Sequence, residues 1–162
     1  MLPMIRPLLA LAALTLPSLA HAKDLRGRTG VGFNQQFGHL SALSVRYGLP
    51  TPSPVMNLQV EGLFGLDTAA TDEGGNVVYG ARVLYGFLAE DNMNLFAGGG
   101  IGGVNTAAEN TLRLQPTMGT DFFLFGLENL GFTVEWGLNM DIGPTSGVST
   151  TAATAAGVHY WF

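Results

Sequence analysis

After residue 22, apolar residues recur at alternate positions along most of the chain, and no helical period survives. Successive side chains on a strand point to opposite sides, so a period of two marks a strand with one apolar face. The cleanest run is 132–142. There Phe132, Val134, Trp136, Leu138, Met140 and Ile142 alternate with Thr133, Glu135, Gly137, Asn139 and Asp141. Segment 40–49 sets Leu43, Val45, Tyr47 and Leu49 against Ala42, Ser44, Arg46 and Gly48. The same rhythm runs through 28–37, 55–66, 77–89, 93–104, 111–125 and 148–162, which makes eight predicted strands. Prolines 50, 52 and 54 mark a turn, since three of them cannot sit in a hydrogen-bonded ladder. A tight turn is predicted at Gly38-His39, polar loops at 67–76, 105–110 and 143–147, and short turns at 90–92 and 127–130. Pro116 interrupts the sixth segment, which predicts a bulge or a strand end there.

Residues 1–22 fall outside this rhythm. Arg6, the apolar stretch 8–16, Pro17 and Ala20-His21-Ala22 have the order of a cleaved export signal, which predicts a mature chain of 23–162. The apolar stretch is too short to span a bilayer as a helix. The whole chain is 47% hydrophobic and 12% charged, with 23 glycines and no cysteine. That charged fraction is about half the usual one. Without Arg6 the 7 basic residues become 6, against 12 acidic ones, a formal charge of −6 that excludes phosphate backbones as a partner. An exported chain without disulfides needs a compact core or a membrane to hold it.

The two faces differ in content. One carries large apolar residues along each strand; the other mixes glycine and small residues with Glu61, Arg82, Arg113, Asp121 and Glu135. A small barrel has room inside for such residues if the charges pair, so these five are the predicted interior polar network. With odd strands running away from the terminal end, Tyr47, Tyr85, Phe87, Phe122, Phe132, Tyr160 and Phe162 gather near that end of the apolar face. Phe33, Phe64 and Tyr79 lie toward the other end. Rings at both rims of an apolar band suit a membrane barrel. The fold class expected is therefore all-β, an eight-stranded antiparallel up-and-down transmembrane β-barrel. A soluble, lipocalin-like ligand-binding barrel is the alternative.

The ending Val158-His159-Tyr160-Trp161-Phe162 resembles the C-terminal signal of bacterial outer-membrane barrels. Together with the export signal and the strand count, the mature chain resembles the OmpA/OmpX-type eight-stranded group. The resemblance implies an assembly signal at Val158, Tyr160 and Phe162, recognition by the barrel-assembly machinery, outer-membrane lipid as surroundings and a monomeric state. Departures from the group are modest outer loops, Pro116, and inward apolar residues such as Phe96, Phe123 and Phe125.

Little of the sequence suggests chemistry. His39 and Ser41, with Asp67 or Asp72 near by, form the one grouping suited to acyl transfer on a lipid, and nothing in the sequence fixes its geometry. His159 falls on the inward phase of the last strand as a hydrogen-bonding residue. Asp72-Glu73 has no calcium-loop spacing, and the run 98–103 (GGGIGG) has no lysine or following helix to make a phosphate loop. No cofactor is implied. The function expected is structural or a matter of surface contact around a side-chain-filled interior, with a narrow conductance as a further role. A lipid-modifying enzyme is the alternative.

Overall fold

A computed structural model describes residues 23–37, 40–53, 56–68, 75–106, 109–150 and 154–162. Among them there is no helix. The strands are β1 (Thr29–Asn34), β2 (Ala42–Gly48), β3 (Asn57–Asp67), β4 (Asn76–Glu90), β5 (Met93–Asn105), β6 (Asn110–Phe123), β7 (Leu130–Gly137), β8 (Asn139–Ile142), β9 (Gly147–Ser149) and β10 (Thr154–Trp161). All pairings between these strands are antiparallel, and an isolated parallel bridge joins Arg26 to Gly48. β7 and β8 lie along one stave beside β6, and β9 and β10 along the next. β10 returns to β1, which closes a barrel of eight staves.

The pairing register sets the tilt. Crossing the ladder from Phe33 leads through Leu43, Phe64, Tyr79, Gly103 and Leu112 to Ile142. Crossing the other way leads through Val158 to Phe132. Ile142 and Phe132 lie ten residues apart on one stave, so the barrel has a shear of ten over eight strands. Barrels of this kind tilt their strands by about 40° and leave an interior only as wide as its side chains.

Alternation along the strands matches the sequence pattern. β2 reads buried-exposed throughout, with Ala42, Ser44, Arg46 and Gly48 inside and Leu43, Val45 and Tyr47 outside. The seven aromatic residues expected near the terminal end are all exposed on the outer surface there. A bulge between Gly86 and Leu88 turns Phe87 and Leu88 outward side by side and thickens this belt.

Several expectations need correction. β6 runs without a register break through Pro116, so there is neither bulge nor strand end in it. The gap falls on the neighbour, between β7 and β8 at Leu138. Leu138 N–H donates to Pro116 O at 3.0 Å, and proline has no N–H to return. Pairing on both sides of the gap keeps one register. Pro116→Thr restores the missing donor and should add about 0.5–1 kcal/mol of stability, read as a higher urea midpoint. An unchanged or lower midpoint would show that the ladder is not short of a bond here.

β6 also ends at Phe123 rather than at 125. Phe125, expected inward, sits in the following turn and is 89% exposed, because alternation stops where the strand stops. Phe96 and Phe123 do face inward. β1 is shorter than predicted, since the chain leaves the wall after Asn34 and turns Gln36 and Phe37 into the barrel. The predicted turn at Gly38-His39 and the export signal lie outside the described residues.

Candidate functional site

The interior has three levels. At the terminal end, Leu25, Phe123 and Trp161 form a buried apolar cluster. Leu25 is brought there by the chain ahead of β1, which is tied to the wall by Gly27 N–H donating to Gly48 O at 2.7 Å. At the loop end a second cluster joins Phe37, Ala42, Leu63 and Val78, with Leu40 and Val104 packed against it. Phe37 adopts a left-handed backbone with φ 67°, uncommon for a bulky residue. Arg113 Nη1 donates to its carbonyl at 2.7 Å. Its ring rests on a floor without side chains: a Cβ at Gly80, Gly100 or Gly102 would come within 2.8, 2.7 or 3.0 Å of it. The glycine run is thus a space for an aromatic plug, in keeping with the expectation of small residues in a barrel interior. Both ends of the bore are closed by apolar side chains.

Between the plugs lies a buried polar layer. Arg82 forks between two carboxylates. Its Nε donates to Glu61 Oε2 at 3.1 Å and its Nη1 to Glu135 Oε2 at 2.7 Å, while Nη2 reaches both residues. Arg46 spans the bore, with Nε 3.1 Å from Glu61 Oε2 and Nη1 donating to Asp121 Oδ1 at 2.9 Å. Smaller groups fill further acceptor positions on Glu135 and Asp121. Asn34 Nδ2 donates to Glu135 Oε1 at 2.8 Å, and Thr133 Oγ1 donates to Asp121 Oδ1 at 2.6 Å. Thr117 Oγ1 donates to Glu135 Oε2 at 3.2 Å.

Of the five residues predicted for the network, Glu61, Arg82, Asp121 and Glu135 meet in this layer. Arg113 does not. It faces inward but lies nearer the loop end, where Nε and Nη2 donate to Asp141 Oδ1 and Oδ2 at 2.6 and 2.8 Å. The tilt separates it from Arg82, since a residue's height depends on its stave as well as its phase. Arg46 is the member the prediction passed over, although the alternation of 40–49 had already put it on the inner face.

Ser44 and His159 also belong to this layer. Ser44 Oγ donates to Glu61 Oε1 at 2.5 Å and lies 2.7 Å from His159 Nε2. The hydroxyl proton is committed to Glu61, so His159 Nε2–H is the donor of the second bond. A nucleophile triad needs the reverse: a serine that donates to histidine, with an acid on the far ring nitrogen. Here Nδ1 has no hydrogen-bond partner and all three side chains are sealed from solvent. The arrangement orients Glu61 and activates nothing. For the lipid-modifying grouping, Ser41 Oγ accepts a long bond of 3.5 Å from Gln35 Nε2, and His39 and Asp72 lie outside the described residues.

The terminal end also carries an open cavity of about 400 Å³, lined by Lys23, Asp24, Arg28, Asp91, Asn92, Phe123, Phe125, Gly126 and Glu128. Arg26 grips Asp24 through two guanidinium bonds at 2.9 and 2.7 Å and holds its carboxyl below the usual range. Water screens this pair, so it adds little. Arg28 bridges the closing seam, donating to Asn129 Oδ1 at 2.7 Å and to Trp161 O at 2.9 Å. Among the described residues no group of three or more histidine, aspartate or glutamate side chains is disposed to hold a metal ion.

What the fold defines is a class: a closed eight-stranded barrel with a charged, plugged interior and an apolar outer surface. No protein-family model matches the chain, and no curated protein matches it either.

Proposed function

We propose that this chain is a small outer-membrane β-barrel with a structural or surface-contact role, rather than an enzyme or a diffusion pore. The reading is carried by one observation: the usual distribution of side chains is inverted. Glu61, Arg82, Glu135 and Arg46 are buried, while Phe33, Phe64, Val83, Ile101, Met118 and Trp136 are exposed around the outside. A soluble monomer rarely shows a contiguous apolar patch beyond about 600 Å², whereas this band encircles the barrel. A soluble ligand-binding barrel would put its apolar side chains inward and its charges outward. Lipid against the band removes that difficulty, and the exposed rings of Tyr47, Tyr85 and Tyr160 suit the water–lipid boundary. With both ends of the bore plugged, the parts left to act are the outer band and the loop end. The role follows as envelope support or contact through the loops, with the barrel-assembly machinery as its partner during folding.

Membrane fractionation combined with a heat-shift gel tests this. The protein should stay with the membranes after a high-salt wash and require detergent for extraction. Unboiled samples should migrate differently from boiled ones. Release into the aqueous phase without detergent, with one migration at both temperatures, would overturn the reading.

A further inference from the structure

Phe37 is an unusual core residue, because the chain gives up normal interactions to place it. In the phase of β1, Val31 and Phe33 face outward, and a continued strand would put Phe37 beside them on the apolar surface. Instead the chain leaves the wall after Asn34, and Phe37 enters the bore with a left-handed backbone at φ 67°. That conformation strains a bulky residue. Gln36 is drawn in with it and fully buried, and neither atom of its side-chain amide has a hydrogen-bond partner. A buried amide left unbonded favours an arrangement that returns it to water. Both features weigh against the plugged state.

What holds the plug is a seat shaped for one group. The three glycines under the ring meet different atoms of it: Gly80 faces Cε2, Gly100 faces Cζ and Gly102 faces Cδ1. Ala42, Leu63 and Val78 belong to the same buried cluster. At the edge of the seat Arg113 Nη1 donates to the Phe37 carbonyl at 2.7 Å. Nε and Nη2 of the same guanidinium are fixed on Asp141 at 2.6 and 2.8 Å. The Nη1 donor therefore stays aimed at the seat when Phe37 leaves it. Asp141 also balances the guanidinium charge, so the donor suits a neutral carbonyl oxygen rather than a carboxylate. The side chains of Arg113 and Asp141 keep 14% and 22% exposure, which leaves this edge reachable from the loop end.

We propose that the loop end of the bore is a binding site for a small aromatic molecule bearing a neutral carbonyl group, and that Phe37 is its built-in occupant. Release of Gln36 and Phe37 opens the seat. The ring of the ligand then lies on Gly80, Gly100 and Gly102, and its carbonyl accepts from Arg113 Nη1. The inference goes beyond the proposed membrane role and does not depend on it.

Strand β4 supplies the test, since it points Val78, Gly80, Arg82 and Leu84 inward in turn from the loop end toward the terminal end. Val78→Cys places a thiol in the seat, and Leu84→Cys places one beyond the polar layer. In the folded full barrel in detergent, a water-soluble methanethiosulfonate should modify the Val78→Cys thiol at least about tenfold faster than the Leu84→Cys thiol, because local opening costs less than global unfolding. N-acetylphenylalaninamide carries the ring and carbonyls of residue 37, and at saturation it should slow this labelling at least about tenfold. N-acetylalaninamide, which lacks the ring, should leave the rate unchanged. Adding Phe37→Gly removes the occupant and suits the left-handed backbone, so half protection should need at least about tenfold less of the aromatic probe. If that variant does not fold, labelling of Val78→Cys with the two probes decides alone. Equal labelling of the two thiols, or Val78→Cys labelling that the aromatic probe does not slow, would overturn the proposal. So would equal protection by N-acetylalaninamide, or a Phe37→Gly barrel no more responsive than its parent.

Discussion

Arg82→Met lowers the stability of the barrel by about 3–5 kcal/mol, a large part of what holds a domain together. The side chain fits the same space and loses only the fork that binds Glu61 and Glu135. What remains is Arg46 serving three buried carboxylates, two of them at 3.1 and 2.9 Å and Glu135 at 3.9 Å. The cost comes from uncompensated charge in a dry interior rather than from the net worth of the ion pairs, which is small against their desolvation. A second change should therefore repair the first. Arg82→Met with Glu61→Gln restores the original charge balance and should recover more than half of the loss. Urea unfolding of the single and double variants reads both effects. A single variant that unfolds with wild-type midpoint, or a double variant worse than the single, would remove charge balance as the organising force of the interior.

Gly32→Ala prevents proper closure. Gly32 faces inward on β1 beside β10, and a Cβ placed there would lie 1.8 Å from Val158 O and 2.8 Å from His159 Cα. Both are backbone atoms of the closing seam, so no flexible side chain can yield. The wall must open or the register must change, at an expected cost of about 3 kcal/mol or more. Gly62→Ala is the control. It lies on β3 with nothing within 4 Å of its added Cβ, and the substitution should be neutral or gain up to about 1 kcal/mol. The fraction of each variant that reaches the heat-shifted, folded form in detergent separates the two. Equal folded fractions for Gly32→Ala and Gly62→Ala would show that the seam tolerates what its geometry forbids.

Strand phase was legible because it is a local property. Alternation at 132–142 put Glu135 inside and Trp136 outside, and both are found so. The same rule placed His159 inward and Tyr160 outward on the last strand. It failed where a strand gave way to a turn, as at Phe125, since phase has no meaning without a strand to carry it. Pro116 was read correctly as a missing donor, but its effect fell on the neighbouring stave. A ladder bond belongs to two strands, and one sequence segment does not say which of them yields.

The chain by itself determined the all-β class, the number of staves and which face of each strand meets the bore, since these follow from a two-residue period and from turn chemistry. Tertiary structure decided which inward residues meet. Closure with a shear of ten sets the height of each stave, so Arg82 joins Glu61 and Glu135, while Arg113 joins Asp141 nearer the loop end. It also decided that Leu25 and Phe37, from segments on either side of β1, turn inward and plug the two ends. Periodicity records the direction of a side chain within its strand; a partner across the bore is fixed only when the sheet closes on itself.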